Sequence, residues 1–547
     1  ILVYEKQKNS FETLRTASTG FSIPNYNLNG LEDAVNVEPT QSDAFESSIE
    51  SFLARIQYDA FNKYLVSASL RYDGSSRFAS GDKQWGYFPS IGLAWRMSNE
   101  TFLKDNQIIS DAKLKFSFGE SGNTQIPSFQ SKSAADGAGY IFNGNLLTPG
   151  ASIVRLANDD LSWETTTEID FGLTLGLFNN RITMEADYYD KETKDLLLAV
   201  PIPVTSGYQT AFKNLGLVSN KGIEFSLNAD VVQERDFKWN MNFNISSNKN
   251  KVLDLGGANE FFVTSIGGGG VNNDYIIRVG ESLGSIYGLA YDGVYTYEDF
   301  VEFDGMTLEE ATAKIKADEA ALPDVGMWWS MNNYTLKDGV PINAQVNNGT
   351  YRPGMTKFKD INGDGIINDD DRHIIGNTLP KHFGGMTHNL SYKNFDFSVQ
   401  SAWSYGNDVY NKTMRKGSST AVPWRNKFDI VKNVWTPDNP SGTWTGFSGG
   451  GPSGDIASAA YDTYIEDGSY FRIANINLGY KVPKKVLNQL GMSFLRFYVS
   501  IDNVYVWTKY TGWDPDVSVG RNQLTPGLDA DAYPRARTFR TGISARF

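Results

Sequence analysis

The chain has 547 residues, and a single soluble core usually stops growing near ~250–300, so it holds either several domains or one large barrel. Aromatic residues make up 13% and charged residues 21% at a mean hydropathy of −0.37, with 52 Gly, 28 Tyr, 33 Phe and 12 Trp, a chain rich in rings but not hydrophobic on average. The net charge of −13 argues against nucleic acid as a partner, zero cysteines exclude disulfides and thiolate metal sites, and no apolar run reaches the roughly 18 residues of a spanning helix.

The first residues, "ILVYEKQK", read as a strand, and no signal peptide is expected there. Further on, "KYLVSASLRY" puts Tyr64, Val66, Ala68, Leu70 and Tyr72 on one face and Lys63, Ser67, Ser69 and Arg71 on the other. "DAKLKFSFG", "RITMEADYY", "KWNMNFNIS" and "FLRFYVSID" alternate in the same way, and no helical i, i+3, i+4 stripe persists in them. Sixteen strands are predicted, near 1–7, 51–60, 63–72, 86–97, 111–119, 164–177, 181–190, 217–229, 236–248, 273–280, 285–296, 383–392, 394–405, 468–480, 494–507 and 537–547. In the last of these, "RTFRTGISARF", Phe539, Thr541, Ile543, Ala545 and Phe547 share a face opposite Arg540, Gly542, Ser544 and Arg546.

The links between these strands are alternately short and mostly long. A two-sheet sandwich gives no reason for that. An up-and-down membrane barrel does, with tight turns at the periplasmic side and long loops outside. Charged residues on nearly every strand suit a water-filled lumen, and aromatics near strand ends suit interfacial girdles. The expected fold is all-β, a transmembrane up-and-down antiparallel β-barrel with long extracellular loops and short periplasmic turns.

These segments resemble the SusC/RagA-type TonB-dependent outer-membrane transporters of the Bacteroidetes. The resemblance runs through "RYDGSSRF" at 71–78, "WGYFPSIGLAWR" at 85–96, "LSWETTTEIDFGL" at 161–173 and "YYDKETKDLLL" at 188–198. It continues with "NKGIEFSL" at 220–227, "KFKDINGDGIINDDDRHIIGNTLP" at 357–380, "EDGSYFRIANINLGY" at 466–480 and "YTGWDPDV" at 510–517. It implies a barrel of 22 strands, of which about 16 are expected within residues 1–547. It also implies about six upstream strands, a plug domain, a TonB-binding segment and a signal peptide that this stretch does not contain. The partners it implies are a SusD-like surface lipoprotein, TonB acting through the plug, and outer-membrane lipid, with a dimer of SusC–SusD pairs.

"DINGDGIINDDD" at 360–371 has the spacing of a calcium loop: Asp360, Asn362 and Asp364 at positions 1, 3 and 5, Gly365 at 6, the Ile366 carbonyl at 7, Asn368 at 9 and Asp371 at 12. Position 12 carries Asp where Glu is usual, and flanking helices are not expected. The competing reading is an Asx-rich turn that orders itself without Ca²⁺. The loop tryptophans Trp328, Trp329, Trp424, Trp435, Trp444 and Trp513 are candidate stacking surfaces for sugars or peptides, against the plainer reading that they pack loops together. His373, His382 and His388 fit no metal spacing, and no nucleophile–base pair or phosphate loop is evident.

The expected function is TonB-energised import of oligosaccharides or oligopeptides across the bacterial outer membrane, without catalysis. Three alternatives stay open: a transporter-like barrel used as an envelope scaffold, a secreted glycan-binding β protein, and a surface glycosidase. The last would need two carboxylates converging in one pocket.

Overall fold

The computed structural model describes the chain apart from residues 22–29, 80, 105, 143–145, 209, 266–272, 321–333, 345–350, 419–425, 446–458 and 520–521. Fourteen long strands, β1 to β14 here, hydrogen-bond in the order in which they occur along the chain. They are β1 Leu2–Arg15, β2 Gln41–Ala60, β3 Tyr64–Ser75, β4 Trp85–Arg96, β5 Ile109–Asn123, β6 Glu164–Leu177 and β7 Ile182–Lys194, then β8 Leu217–Gln233, β9 Phe237–Asp254, β10 His382–Tyr392, β11 Phe395–Tyr405, β12 Tyr470–Lys481, β13 Phe494–Thr508 and β14 Thr538–Arg546. The links 61–63, 178–181, 234–236 and 393–394 are tight and 97–108 and 482–493 moderate; they alternate with links that, apart from 76–84, are longer, of which 255–381 is the longest. Among the described residues no helix is long and apolar enough to cross a membrane. The chain divides into two compact units, Ile1–Asn179 with Asp187–Lys221, and Asn180–Ala186 with Gly222–Phe547.

In the first unit, antiparallel register aligns equivalent residues into rows across the strands. Tyr58, Val66, Leu93, Phe116 and Phe171 form one row; Gln57, Ser67, Gly92, Ser117 and Asp170 form the row beside it on the opposite face. Among the described residues no second sheet covers the apolar row: Tyr58, Val66, Leu93 and Phe171 are between 38% and 65% exposed. Two aromatic rows bracket this band. Tyr72 stacks on Tyr87 and Trp85 at one end, with ring centroids 4.4 and 4.6 Å apart, and Tyr64 lies opposite Trp95 at the other. Between Tyr64 and Tyr72 the outward residues are Val66, Ala68 and Leu70; between Tyr87 and Trp95 they are Pro89, Ile91 and Leu93. At about 3.3 Å per residue and a tilt of about 35–45°, that spacing gives roughly 20 Å of depth, close to the apolar band of an outer-membrane barrel.

Glycines make room for ion pairs on the opposite face. Lys115 on β5 and Asp187 on β7 meet at 3.0 Å across β6, where a Cβ on Gly172 would come within 2.2 Å of the Asp187 carboxylate. The second unit repeats the device. Arg496 on β13 reaches Asp396 on β11 at 2.5 and 3.1 Å across Gly479 of β12. Asn240, Asn389, Ser398, Asn477 and Ser500 continue this polar face in register from β9 to β13.

A knot closes the short-turn end of the first unit. Glu100 accepts from Lys63 Nζ at 2.8 Å, Tyr64 OH at 2.8 Å and Trp95 Nε1 at 3.1 Å. These donors, the Lys63 ammonium first, hold its carboxyl down at about 2.

Fourteen of the sixteen predicted strands lie on this long-strand order. The other two, 273–280 and 285–296, do not, and the expected sixteen barrel strands are corrected to fourteen. These segments form Tyr275–Arg278, Ser285–Leu289 and Tyr291–Val294 within the loops of the second unit. Every residue of Ser285–Leu289 is buried, so the segment is apolar on both sides and carries no lipid-facing alternation.

Candidate functional site

Three loops of the second unit fold together. Residues 255–381, 406–469 and 509–537 share one core, in which Tyr275, Ile286 and Phe358 from the first meet Tyr410 and Tyr461 from the second and Leu528 from the third. Backbone pairing stitches them: Gly288 opposes Ala460, and Tyr410 opposes Leu528, both in parallel register. Tyr275 OH donates to the Pro526 carbonyl at 2.8 Å, and Tyr510 OH to Asp529 at 2.6 Å. Burial, and then the Asp529 carboxylate, push the Tyr510 phenol well up, so it stays a donor. At the centre Lys412 and Asp274, both fully buried, pair at 3.1 Å, and Asp274 also accepts from Ser265 N at 2.7 Å and from the Ser265 hydroxyl. Burial pulls the Lys412 ammonium down against the pull of Asp274.

A second core, with Tyr295, Phe300, Phe303, Tyr334 and Trp435, backs the first. The helix Leu308–Ala320 lends it Ala311 and Ile315. This helix starts from a capping box between Thr307 and Glu310, whose Oε2 accepts from Thr307 N at 2.8 Å.

The segments quoted for the family resemblance turn out to be contact partners. In the first unit Phe78, Phe88, Leu161 and Trp163, from three of them, form one buried cluster with Ile126, and Leu197 from a fourth packs against it. Gly86 and Gly122 admit the Phe88 ring: a Cβ there would lie 2.5 and 2.2 Å from its Cζ. In the second unit Arg472 on β12 holds Asp514 at 2.5 and 3.0 Å, and Glu466 accepts from Thr511 N at 2.7 Å. "EDGSYFRIANINLGY" and "YTGWDPDV" are thus two halves of one clamp.

Of the predicted tryptophans, Trp328, Trp329 and Trp424 lie outside the described residues. Trp435 and Trp444 are buried in the loop cores, Trp435 over Gly354 and Trp444 donating to the Ser418 carbonyl at 3.1 Å. Trp513 is 74% exposed, on a turn whose neighbours Thr511 and Asp514 are both clamped.

The Asp360–Asp371 loop brings its predicted residues onto one tight turn. Asp360 accepts from Gly363 N at 2.7 Å and Gly365 N at 2.8 Å, Asn362 from Asp364 N at 2.8 Å, Asp364 from Ile366 N at 2.7 Å, and Asn368 from Asp370 N at 2.6 Å. Gly365 takes φ +82°, which a side chain would strain. Asp371 is fully buried and accepts from Ile361 N at 2.9 Å and Asn368 N at 2.8 Å, tying the loop shut at its base. Among the described residues no group of three or more His, Asp or Glu is placed to hold a metal. The histidines are occupied singly: His388 Nδ1 accepts from Trp239 Nε1 at 3.2 Å, and His382 Nδ1 from Trp403 Nε1 at 3.3 Å.

An antiparallel sheet apolar on one face, ionic on the other and bracketed by aromatic rows places the protein among the membrane-spanning β-barrel proteins. The family described as TonB dependent receptor-like, beta-barrel, matches residues 6–348. TonB-dependent receptor P3 of Formosa agariphila is 32% identical over 557 aligned residues, covering 100% of this chain and 50% of its own length. TonB-dependent receptor SusC of Bacteroides thetaiotaomicron is 30% identical over 514, covering 92% of this chain and 44% of its own. A solved structure of the RagAB peptide transporter superposes with a TM-score of 0.76 at 23% identity, over 100% of this chain and 53% of the other. The chain belongs to the TonB-dependent receptor β-barrel family, and its place is the outer membrane. It spans about half the length of the curated relatives it matches.

Proposed function

We propose that this chain forms wall and outer vestibule of a TonB-energised importer of oligosaccharides or oligopeptides. A SusD-like lipoprotein would lie over the co-folded loops, and TonB would act through a plug of the kind the longer relatives have room for. Two such pairs would form a dimer. The carrying observation is that each unit has a polar sheet face, bridged between strands by Lys115–Asp187 in the first unit and by Asp396–Arg496 in the second. Trp513, exposed between the clamped Thr511 and Asp514, offers a stacking surface to a sugar or a peptide side chain. Deleting the gene from its host, with uptake of labelled oligosaccharide and oligopeptide pools measured with and without a protonophore, tests this. Energy-dependent uptake of one pool should disappear; unchanged uptake of both would overturn it.

The same reading has the Asp360 loop take Ca²⁺ through Asp360, Asn362, Asp364 and the Ile366 carbonyl, with Asp371 as the buried anchor of the turn. The support is the ligand spacing together with Gly365 at the sharp bend. Calcium titration of the chelator-treated full-length protein should show one saturable site that Asp360→Ala/Asp364→Ala abolishes; titration without heat, or heat that survives the double substitution, would leave a self-ordered turn.

A further inference from the structure

Toward the long-loop end of β9, the outward face of the second unit turns basic. Burial alternates along upper β9. Asn250 accepts from Leu283 N at 2.8 Å and Val252 is fully buried, so the even-numbered residues point toward the loop core. Ser247, Lys249 and Lys251 are exposed on the other side. That side is continuous with the apolar band, because Phe243 and Ile245 lie below on the same face. Phe243 stacks on Trp403 at 5.6 Å, and Trp403 lies across Gly384, where a Cβ would come within 2.5 Å of the indole. Lys249 and Lys251 stand about 10 and 15 Å above Ile245 in depth, by rise and tilt. Their flexible stems bring the ammonium groups down toward the band edge.

His382 opens β10 one step beyond the Ser246–Phe383 pair, at the level of Ser247 and just below the two lysines. Its ring lies flat on Tyr405, with centroids 4.9 Å apart and planes at 17°. Its Nδ1 accepts from the Trp403 indole at 3.3 Å. An indole N–H only donates, so the remaining imidazole proton sits on Nε2 and is offered outward.

Charge pairing sets this patch apart. Above the aromatic row of the first unit, Lys6 pairs with Glu50 at 3.6 Å and Lys8 with Glu46 at 3.0 Å. Lys249 and Lys251 have no carboxylate within ion-pair distance among the described residues, in a chain whose net charge is −13. The Ser247 hydroxyl already donates to the Lys381 carbonyl at 2.8 Å, which leaves two cations and an imidazole N–H just outside an apolar band, a match for a phosphate on top of acyl chains.

We propose that the outward face of Lys249, Lys251 and His382 binds the phosphorylated headgroup of an outer-leaflet lipid, whose acyl chains lie on the band below. Phosphate oxygens accept from the ammonium groups and from His382 Nε2–H. The face is open, so a free phosphate ion would make only screened contacts, whereas a lipid adds the burial of its chains.

The test is native mass spectrometry of the full-length protein in detergent, titrated with diphosphoryl lipid A, with the same lipid dephosphorylated, and with inorganic phosphate as competitor. The phosphorylated lipid should bind, and Lys249→Gln/Lys251→Gln should weaken it about 30-fold, since each lysine near an anionic surface contributes about fivefold. Lys249→Arg/Lys251→Arg should stay within about twofold. Should the double Gln variant fail to fold, Lys251→Gln alone, expected to lose about fivefold, decides. Equal binding by the folded Gln variant, equal binding of the dephosphorylated lipid, or displacement by millimolar inorganic phosphate would each overturn the assignment.

Discussion

Replacing Lys412 by methionine is expected to loosen the outer-loop core by about 3–5 kcal/mol. Lys412 opens the helix Lys412–Ser418 in one loop, and its partner Asp274 precedes the strand Tyr275–Arg278 in another. Both are fully buried, so methionine leaves Asp274 with hydrogen bonds from Ser265 and no cation. An uncompensated carboxylate in a dry core costs far more than the pair itself is worth. Removing both charges together, in Asp274→Leu/Lys412→Met, should recover most of the loss, because apolar side chains of similar size need no desolvation. Hydrogen exchange over 275–289 and 408–418 of the full-length protein reads this directly. The single variant should exchange roughly two to four orders of magnitude faster there, and the double close to wild type. A single variant that exchanges like wild type would mean that water reaches the pair.

The strands were legible in sequence where lipid dictates the pattern. Between the aromatic rows every second residue of β3 and β4 must be apolar, and Tyr64–Tyr72 and Tyr87–Trp95 show that alternation in bare sequence. Beyond the band it stops. The upper part of β1, with Lys6, Lys8 and Glu12, and the upper part of β2, from Gln41 to Glu50, have water on both faces and carry no period, so both strands were read too short. The loop core fails for another reason. Ser285–Leu289 is buried on both sides, and its partners are His373–Asn377 and Ala460–Tyr461, which no local pattern connects to it. The helix Leu308–Ala320 was visible in principle: Thr307 and Glu310 spell a capping box. The clamp of Arg472 on Asp514 was not, since the sequence marked both segments without saying that they touch.

Arginine in place of Ala68 is expected to destabilise the barrel by about 2–4 kcal/mol, while arginine in place of its neighbour Ser67 costs little. Ala68 lies midway between Tyr64 and Tyr72 and opposite Ile91, on the exposed apolar face. If lipid covers that face, the guanidinium starts near the middle of the hydrocarbon, and its stem must bend toward a headgroup. Ser67 faces the other way, beside Gln57 and Gly92, where water and the Lys115–Asp187 pair already accommodate charge. The two positions are adjacent in sequence and share strand, neighbours and propensity, so backbone effects cancel in the comparison. Guanidinium unfolding of the full-length protein refolded into phospholipid vesicles gives both values, and the same pair measured in a short-chain detergent, where the apolar layer is thin and deformable, should differ by less. Soluble packing predicts the reverse order: an apolar face wetted by bulk water takes arginine at Ala68 without penalty, and a buried Ser67 does not. The sign of the difference between these two neighbours therefore decides which side of the sheet meets lipid.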